Sequence, residues 1–168
     1  MSVLRIMLIG YGRSGKGTFC NQAAITKGWA SIASSRMASE LFLYDQLKDK
    51  YGYADIEACY ADRHNHRQEW YEAIRDYNTP DKARLGKKIF GAGYTIYDGC
   101  RDREEFETLK AAGVFDIAVW VDAGGRVEPE SEKSMQLTMD DADIVICNKT
   151  SECDYLLKVQ RLLAALGG

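Results

Sequence analysis

The sequence predicts an α/β protein, a three-layer αβα sandwich around a five-stranded parallel sheet. Three observations lead there. Val3 to Ile9 is a nearly continuous apolar run that stops at Gly10, the pattern of a strand buried on both faces. Four more short apolar runs follow, each set off from the last by helical stretches. The first run also leads directly into GYGRSGKGTF, residues 10 to 19, a glycine-rich turn between a strand and a helix.

Each element has its own warrant. Gly17 to Thr26 reads as the first helix, and Trp29 to Ala33 as a weak strand. Ser34 and Ser35 are candidate caps for a helix running to about Lys50, with Met37, Leu41, Leu43 and Leu47 as roughly periodic apolar positions. A polar helical stretch spans Ile56 to Tyr77, and another helix spans Asp81 to Phe90. Tyr94 to Tyr97 is a strand ending at Asp98, followed by a helix from Arg103 to Ala112 that Gly113 closes. Phe115 to Val121 is the clearest strand after the first, and Ala142 to Cys147 is the fifth. Asp154 to Leu166 ends the chain as an amphipathic helix offering Leu156, Leu157, Val159, Leu162 and Leu163 to the core.

With 168 residues, the chain is expected to form one domain over 1–168, since that length buries a single continuous core. Within it we expect a core over 1–35 and 92–168 and an acceptor-binding helical insertion over about 36–91. A net charge of −3 and a pI near 5.5 argue against a protein that coats nucleic acid, so any such contact must be local. Five cysteines without a C-x-x-C pair read as reduced thiols, and His64 and His66 lack a third metal ligand at a recognisable spacing. No run reaches membrane-spanning length and the N-terminus lacks a secretory pattern, so the expected location is the cytoplasm. The oligomeric state is not legible.

The glycine-rich turn fits two fingerprints. Gly10, Gly12 and Gly15 match a dinucleotide-binding turn, whereas Gly10, Gly15 and Lys16 begin an ATP-binding phosphate loop. Position decides between them. A dinucleotide site wants a carboxylate at the end of the second strand, and WASIASSR has none. Lys16 and Thr18 supply the lysine and hydroxyl that the phosphate loop requires. Gly10, Gly12, Arg13, Ser14, Gly15, Lys16, Gly17 and Thr18 are therefore expected to bind ATP, with backbone amides around phosphate oxygens and Lys16 bridging the β- and γ-phosphates. Gly17 occupies the position where a hydroxyl normally reaches magnesium, which leaves Thr18 for the α-phosphate.

GKGT after this start resembles adenylate kinase and its nucleoside monophosphate kinase relatives, and IYDGCR, residues 96 to 101, resembles their D-G-F-P-R segment shortened by one residue. The resemblance implies Mg2+ held through water by Asp98, and Arg101 as stabiliser of the transferring charge, making Lys16, Asp98 and Arg101 the catalytic set. A plain turn before Gly99 also accounts for Asp98. DADIVICNKTSECDYLLKVQRLL resembles the last strand and helix of phage deoxynucleoside monophosphate kinases, which would bring Asn148 to Ser151 to the base; helix capping by Thr150 or Ser151 explains the same residues.

The acceptor is read from residues 62 to 78. Arg63, Arg67, Trp70 and Tyr71 recur at helical spacing, with arginine forks suited to phosphate and an aromatic ring suited to a base. A solvated amphipathic helix shows the same composition, and it accounts equally well for Lys82, Arg84, Lys87 and Lys88. Arg36 and Asp62 are further candidates for substrate binding. The stretch GGRVEPESEKS, 124 to 134, has more acids than bases, unlike the arginine-rich lid of adenylate kinases. R-x-x-W-Y followed by YDGCR and FDIAVWVDA resembles the phage 5-hydroxymethyluracil DNA kinases. That resemblance implies transfer to the hydroxymethyl group of a base in DNA, with Asp62 or Asp98 as base; phosphorylation of a free deoxynucleoside monophosphate stays open, as does a nucleotide-hydrolysing switch.

Overall fold

The computed structural model describes residues 3–167; Met1, Ser2 and Gly168, the ends of the domain expected over 1–168, lie outside the described residues. The chain runs β1 (Ile6–Ile9), α1 (Lys16–Lys27), β2 (Ser31–Ala33), α2 (Ser34–Ala38), α3 (Tyr44–Tyr51), α4 (Ile56–Asp62), α5 (Arg67–Tyr77), α6 (Arg84–Gly91), β3 (Ile96–Asp98), α7 (Arg103–Ala111), β4 (Ile117–Asp122), β5 (Ile144–Cys147) and α8 (Glu152–Leu166). All strand pairs are parallel, in the order β2-β3-β1-β4-β5. The expected fold class is therefore observed, with most boundaries moved by one to three residues.

β1 lies at the centre because its four residues are all fully buried, apolar on both faces. Ile6 and Leu8 pack with Phe19 and Ala23 of α1 and Tyr155 and Val159 of α8. Met7 and Ile9 face the other layer, with Leu85 and Ile89 of α6 and Phe106 and Leu109 of α7. A smaller cluster, Leu43, Leu47, Cys59 and Trp70, holds α3, α4 and α5 together beside the sandwich.

Several local expectations are corrected. Ala33, not Ser34 or Ser35, sits at the cap position of α2, which has no side-chain cap. A π-helical turn, Ser39–Leu43, connects α2 to α3 and rotates the apolar stripe, leaving Leu41 40% exposed. The single helix expected over Ile56 to Tyr77 breaks after Asp62 into a 3-10 turn, Arg63–Asn65, and resumes at Arg67. Leu157 points outward from α8, so that helix packs through Tyr155, Val159 and Leu163. Ser151 does cap it, accepting from the Asp154 amide.

Candidate active site

The register of the sheet builds the site. Leu8 of β1 pairs with Asp98 of β3 on one side and Val119 of β4 on the other, so the turn after β1 opens between two strand ends, the usual ligand crevice of an open parallel sheet. Gly10 has φ +151°, and a Cβ there would meet the Val121 carbonyl oxygen at 2.9 Å. Gly15, at φ +113°, leads directly into α1 without a side-chain cap, leaving first-turn amides free for an anion. A Cβ on Gly15 would lie 2.6 Å from Asn148 Nδ2 and 3.0 Å from the Tyr155 ring. Between them Arg13 adopts φ +63°, the left-handed conformation that helps amides turn inward.

The turn is clamped from behind. Asn148 Nδ2 donates to the Ser14 carbonyl at 2.8 Å, and the Tyr155 hydroxyl donates to the Gly15 carbonyl at 2.8 Å. Lys16 folds over the loop and donates to the carbonyls of Gly10 and Tyr11 at 3.0 and 2.8 Å. Burial lowers the Lys16 pKa, while the Asp98 charge works to keep it up. Burial raises the Asp98 carboxyl against the pull of Lys16 and Arg101. Gly17 is exposed and Thr18 half-buried on the first turn of α1.

Asp98 Oδ1 and Ser14 Oγ are buried without a hydrogen-bond partner among the described residues. An orphaned carboxylate oxygen beside a glycine-rich turn of this shape fits a hydrated cation, because magnesium usually keeps several waters and takes only one or two protein carboxylates. The described residues contain no cluster of three or more His, Cys, Asp or Glu that would hold a metal by themselves. Asp98 is thus the residue that would hold Mg2+ here, which when bound supplies positive charge to the phosphate tail.

Arg101 donates to Glu130 Oε2 at 2.8 Å, and the same oxygen accepts from the Gly12 amide at 3.1 Å. Burial disfavours the Glu130 charge, but those two donors hold its pKa below the ordinary value. A carboxylate thus sits at the rim of the phosphate turn. Only the acidic content of 124–134 points to it from the residues alone.

In front of the turn opens a cleft of about 1700 Å³, larger than the roughly 300–1,000 Å³ of a typical single-ligand pocket and thus able to take two ligands. Its walls bring together Lys16, Asp98 and Arg101 with Arg63, Arg67 and Trp70. The break at His66 does not separate the two arginines from the cleft. Arg67 is exposed there, while Arg63 lies 4.0 Å over the Tyr60 ring and donates to the Tyr60 carbonyl. Trp70 is 4% exposed and belongs to the small helical cluster, so the ring available for stacking in the cleft is that of Tyr71, 47% exposed.

Two residues expected at the acceptor do not line the cleft. Arg36 is held by Glu40 and by both oxygens of Glu57. Asp62 accepts from the Tyr53 hydroxyl at 2.7 Å and Asn65 at 2.6 Å and pairs with His66 at 3.0 Å, which ties it into the helical corner. Asn148, expected at the base, gives its amide to the loop itself and is 7% exposed.

No protein-family model matches the chain, and no curated protein matches it by sequence. Solved structures do match in shape. A sugar kinase from Janibacter sp. superposes with a TM-score of 0.53 at 13% identity, over 99% of this chain and 95% of that one. A shikimate kinase from Bacteroides thetaiotaomicron gives 0.52 at 16% identity, over 98% and 99%. A gluconokinase from Sinorhizobium meliloti gives 0.51 at 13% identity, over 98% and 93%. The fold is that of these kinases. At such identities the likeness concerns the fold alone, and the chemistry has to be argued from the residues themselves.

Proposed function

We propose that the protein is an ATP-dependent kinase that transfers the γ-phosphoryl group to a nucleotide-type acceptor. The observation that carries this reading is the convergence of Lys16, Asp98 and Arg101 on one cleft with an uncapped helix N-terminus behind a glycine turn. Phosphoryl transfer needs positioning and charge neutralisation more than covalent chemistry, and these groups supply both. The turn amides and Lys16 hold the phosphate tail of ATP. Arg101 faces the charge that spreads over the transferring group.

Arg63 and Arg67, on the opposite wall, suit an acceptor that carries phosphate, and Tyr71 suits a base. Our first reading of the acceptor is the 5-hydroxymethyl group of 5-hydroxymethyldeoxyuridine in DNA, which makes Asp98 the residue to take the hydroxyl proton, since Asp62 is engaged elsewhere. The second reading, a free deoxynucleoside monophosphate, is favoured by the two arginines alone.

The test is a γ-³²P transfer screen offering hydroxymethyluracil DNA, the free deoxynucleoside monophosphates, gluconate and shikimate. Label on the DNA supports the first reading, and label on a monophosphate the second. Label on gluconate or shikimate would refute a nucleotide acceptor. Phosphate release without any labelled acceptor would refute the kinase and leave a hydrolysing switch.

A further inference from the structure

One buried carboxyl in the cleft is left over by the mechanism above. Glu105 lies in the first turn of α7, is 7% exposed, and lines the cleft with Tyr97, Asn78 and Lys82. Its backbone amide is capped by Asp102 at 2.8 Å, so helix capping does not require its side chain. The Tyr97 hydroxyl donates to Oε1 at 2.7 Å, whereas Oε2 has no hydrogen-bond partner among the described residues. No cation pairs with it either: Lys82 lies nearest Glu104, at 3.4 Å. An acid kept this far from water without an ion pair costs stability, and such groups concentrate where a ligand provides the missing partner.

The surroundings define that ligand. When ionised, a carboxylate accepts only, so the group it meets must be a donor; a phosphate oxygen would be repelled. Two donors line the same cleft: the Asn78 Oδ1 is taken by the Leu85 amide at 3.0 Å, leaving Nδ2, and Lys82, whose charge bears on Glu105, contributes its ammonium. One acceptor among donors matches an imide edge, N–H between two carbonyls. Resting on the kinase reading, we propose that Glu105 is a specificity residue that accepts the ring N–H of a uracil-type base and so selects it over a cytosine-type base. Cytosine presents a lone pair at that ring position, which would face the carboxylate unfavourably.

The titratable groups that bear on Glu105 are Tyr97 on β3, Cys100 just after it, Lys82 before α6, and Asp102 at the head of its own helix. Burial pushes the Glu105 carboxyl up to about 7. Because the ionised form is the acceptor, uracil-type binding should strengthen as pH rises from 6 to 8.

The experiment is calorimetry on the full chain with a non-hydrolysable ATP analogue present, using dUMP, 5-hydroxymethyl-dUMP, dCMP and N3-methyl-dTMP as probes. The expected result is at least tenfold tighter binding of the two uracil probes, a charged hydrogen bond being worth about 10- to 100-fold. Glu105→Gln keeps an acceptor for Tyr97, and it should erase most of this preference together with its pH dependence while ATP-analogue affinity holds. Equal binding of dUMP and dCMP, an unchanged preference in Glu105→Gln, or no binding of any pyrimidine probe would overturn the proposal. Selective binding without transfer to any acceptor would instead refute the kinase reading and leave this subsite standing.

Discussion

On the proposed nucleotide side of the cleft, polar side chains are fastened to backbone: Asn148 to Ser14, Tyr155 to Gly15, and Lys16 to Gly10 and Tyr11. On the acceptor side the cations ride on short helices joined by a π turn and a 3-10 turn and tied by half-exposed pairs such as Lys50–Glu69 and Arg36–Glu57. Buried bonds to backbone fix position, while surface ion pairs contribute little and are screened by salt. The contrast teaches that the proposed phosphate end is held in place by buried bonds, whereas the exposed cations of the proposed acceptor wall can be altered with little cost to the fold.

The sharpest way to break that contrast is Lys16→Ala. We expect transfer to fall about 10²- to 10³-fold with an unchanged circular dichroism spectrum, since one preorganised donor at a developing anion is worth that much; retained activity in a single-turnover assay would remove Lys16 from the chemistry. Gly15→Ala comes next. Its Cβ would press on Asn148 and Tyr155 in a backbone region costing about 1–3 kcal/mol for a non-glycine residue, so urea denaturation should show a loss of that order together with weakened ATP binding.

A third measurement follows stability against pH. The folded Glu105 has its pKa raised to about 7 from an ordinary 4.5, so between those values the folded chain binds a proton that the unfolded chain releases. That contribution is present in full below about pH 4.5 and is lost as pH rises through 7. It amounts to roughly 3 kcal/mol, and Glu105→Gln should flatten this part of the curve. A smaller effect is expected from Arg67→Ala, about tenfold on the acceptor KM with the ATP KM unchanged, given its exposure on the cleft wall. Equal changes in both constants would break the division between the two walls. Arg36→Ala should have the least effect, leaving both KM values in place because its partners are Glu40 and Glu57 rather than ligand.

The order in which these residues became legible follows from the range of the forces involved. The phosphate turn could be read because its requirements are local: glycines for positive φ, a lysine beside them, an apolar strand before. The sheet could be read because strands buried on both faces are apolar throughout. Arg63 and Arg67 were placed on the cleft by helical spacing alone, even though the helix breaks between them. Arg36 and Asp62 could not be assigned in that way, since their partners Glu57 and Tyr53 come from other turns of the chain. Trp70 looked like a stacking platform because tryptophan serves equally in a small core, and only the packing of α3 and α4 decides which. Glu105 carried no signal and Glu130 only its place in an acidic stretch, as each acquires its role from residues 8 and 118 positions away, Tyr97 and Gly12.

That last contact changes what nucleotide entry means. Glu130 offers the Gly12 amide and Arg101 the same kind of oxygen that a triphosphate would bring. On the kinase reading proposed above, filling the turn would substitute one anion for another at the Gly12 amide and the Arg101 guanidinium.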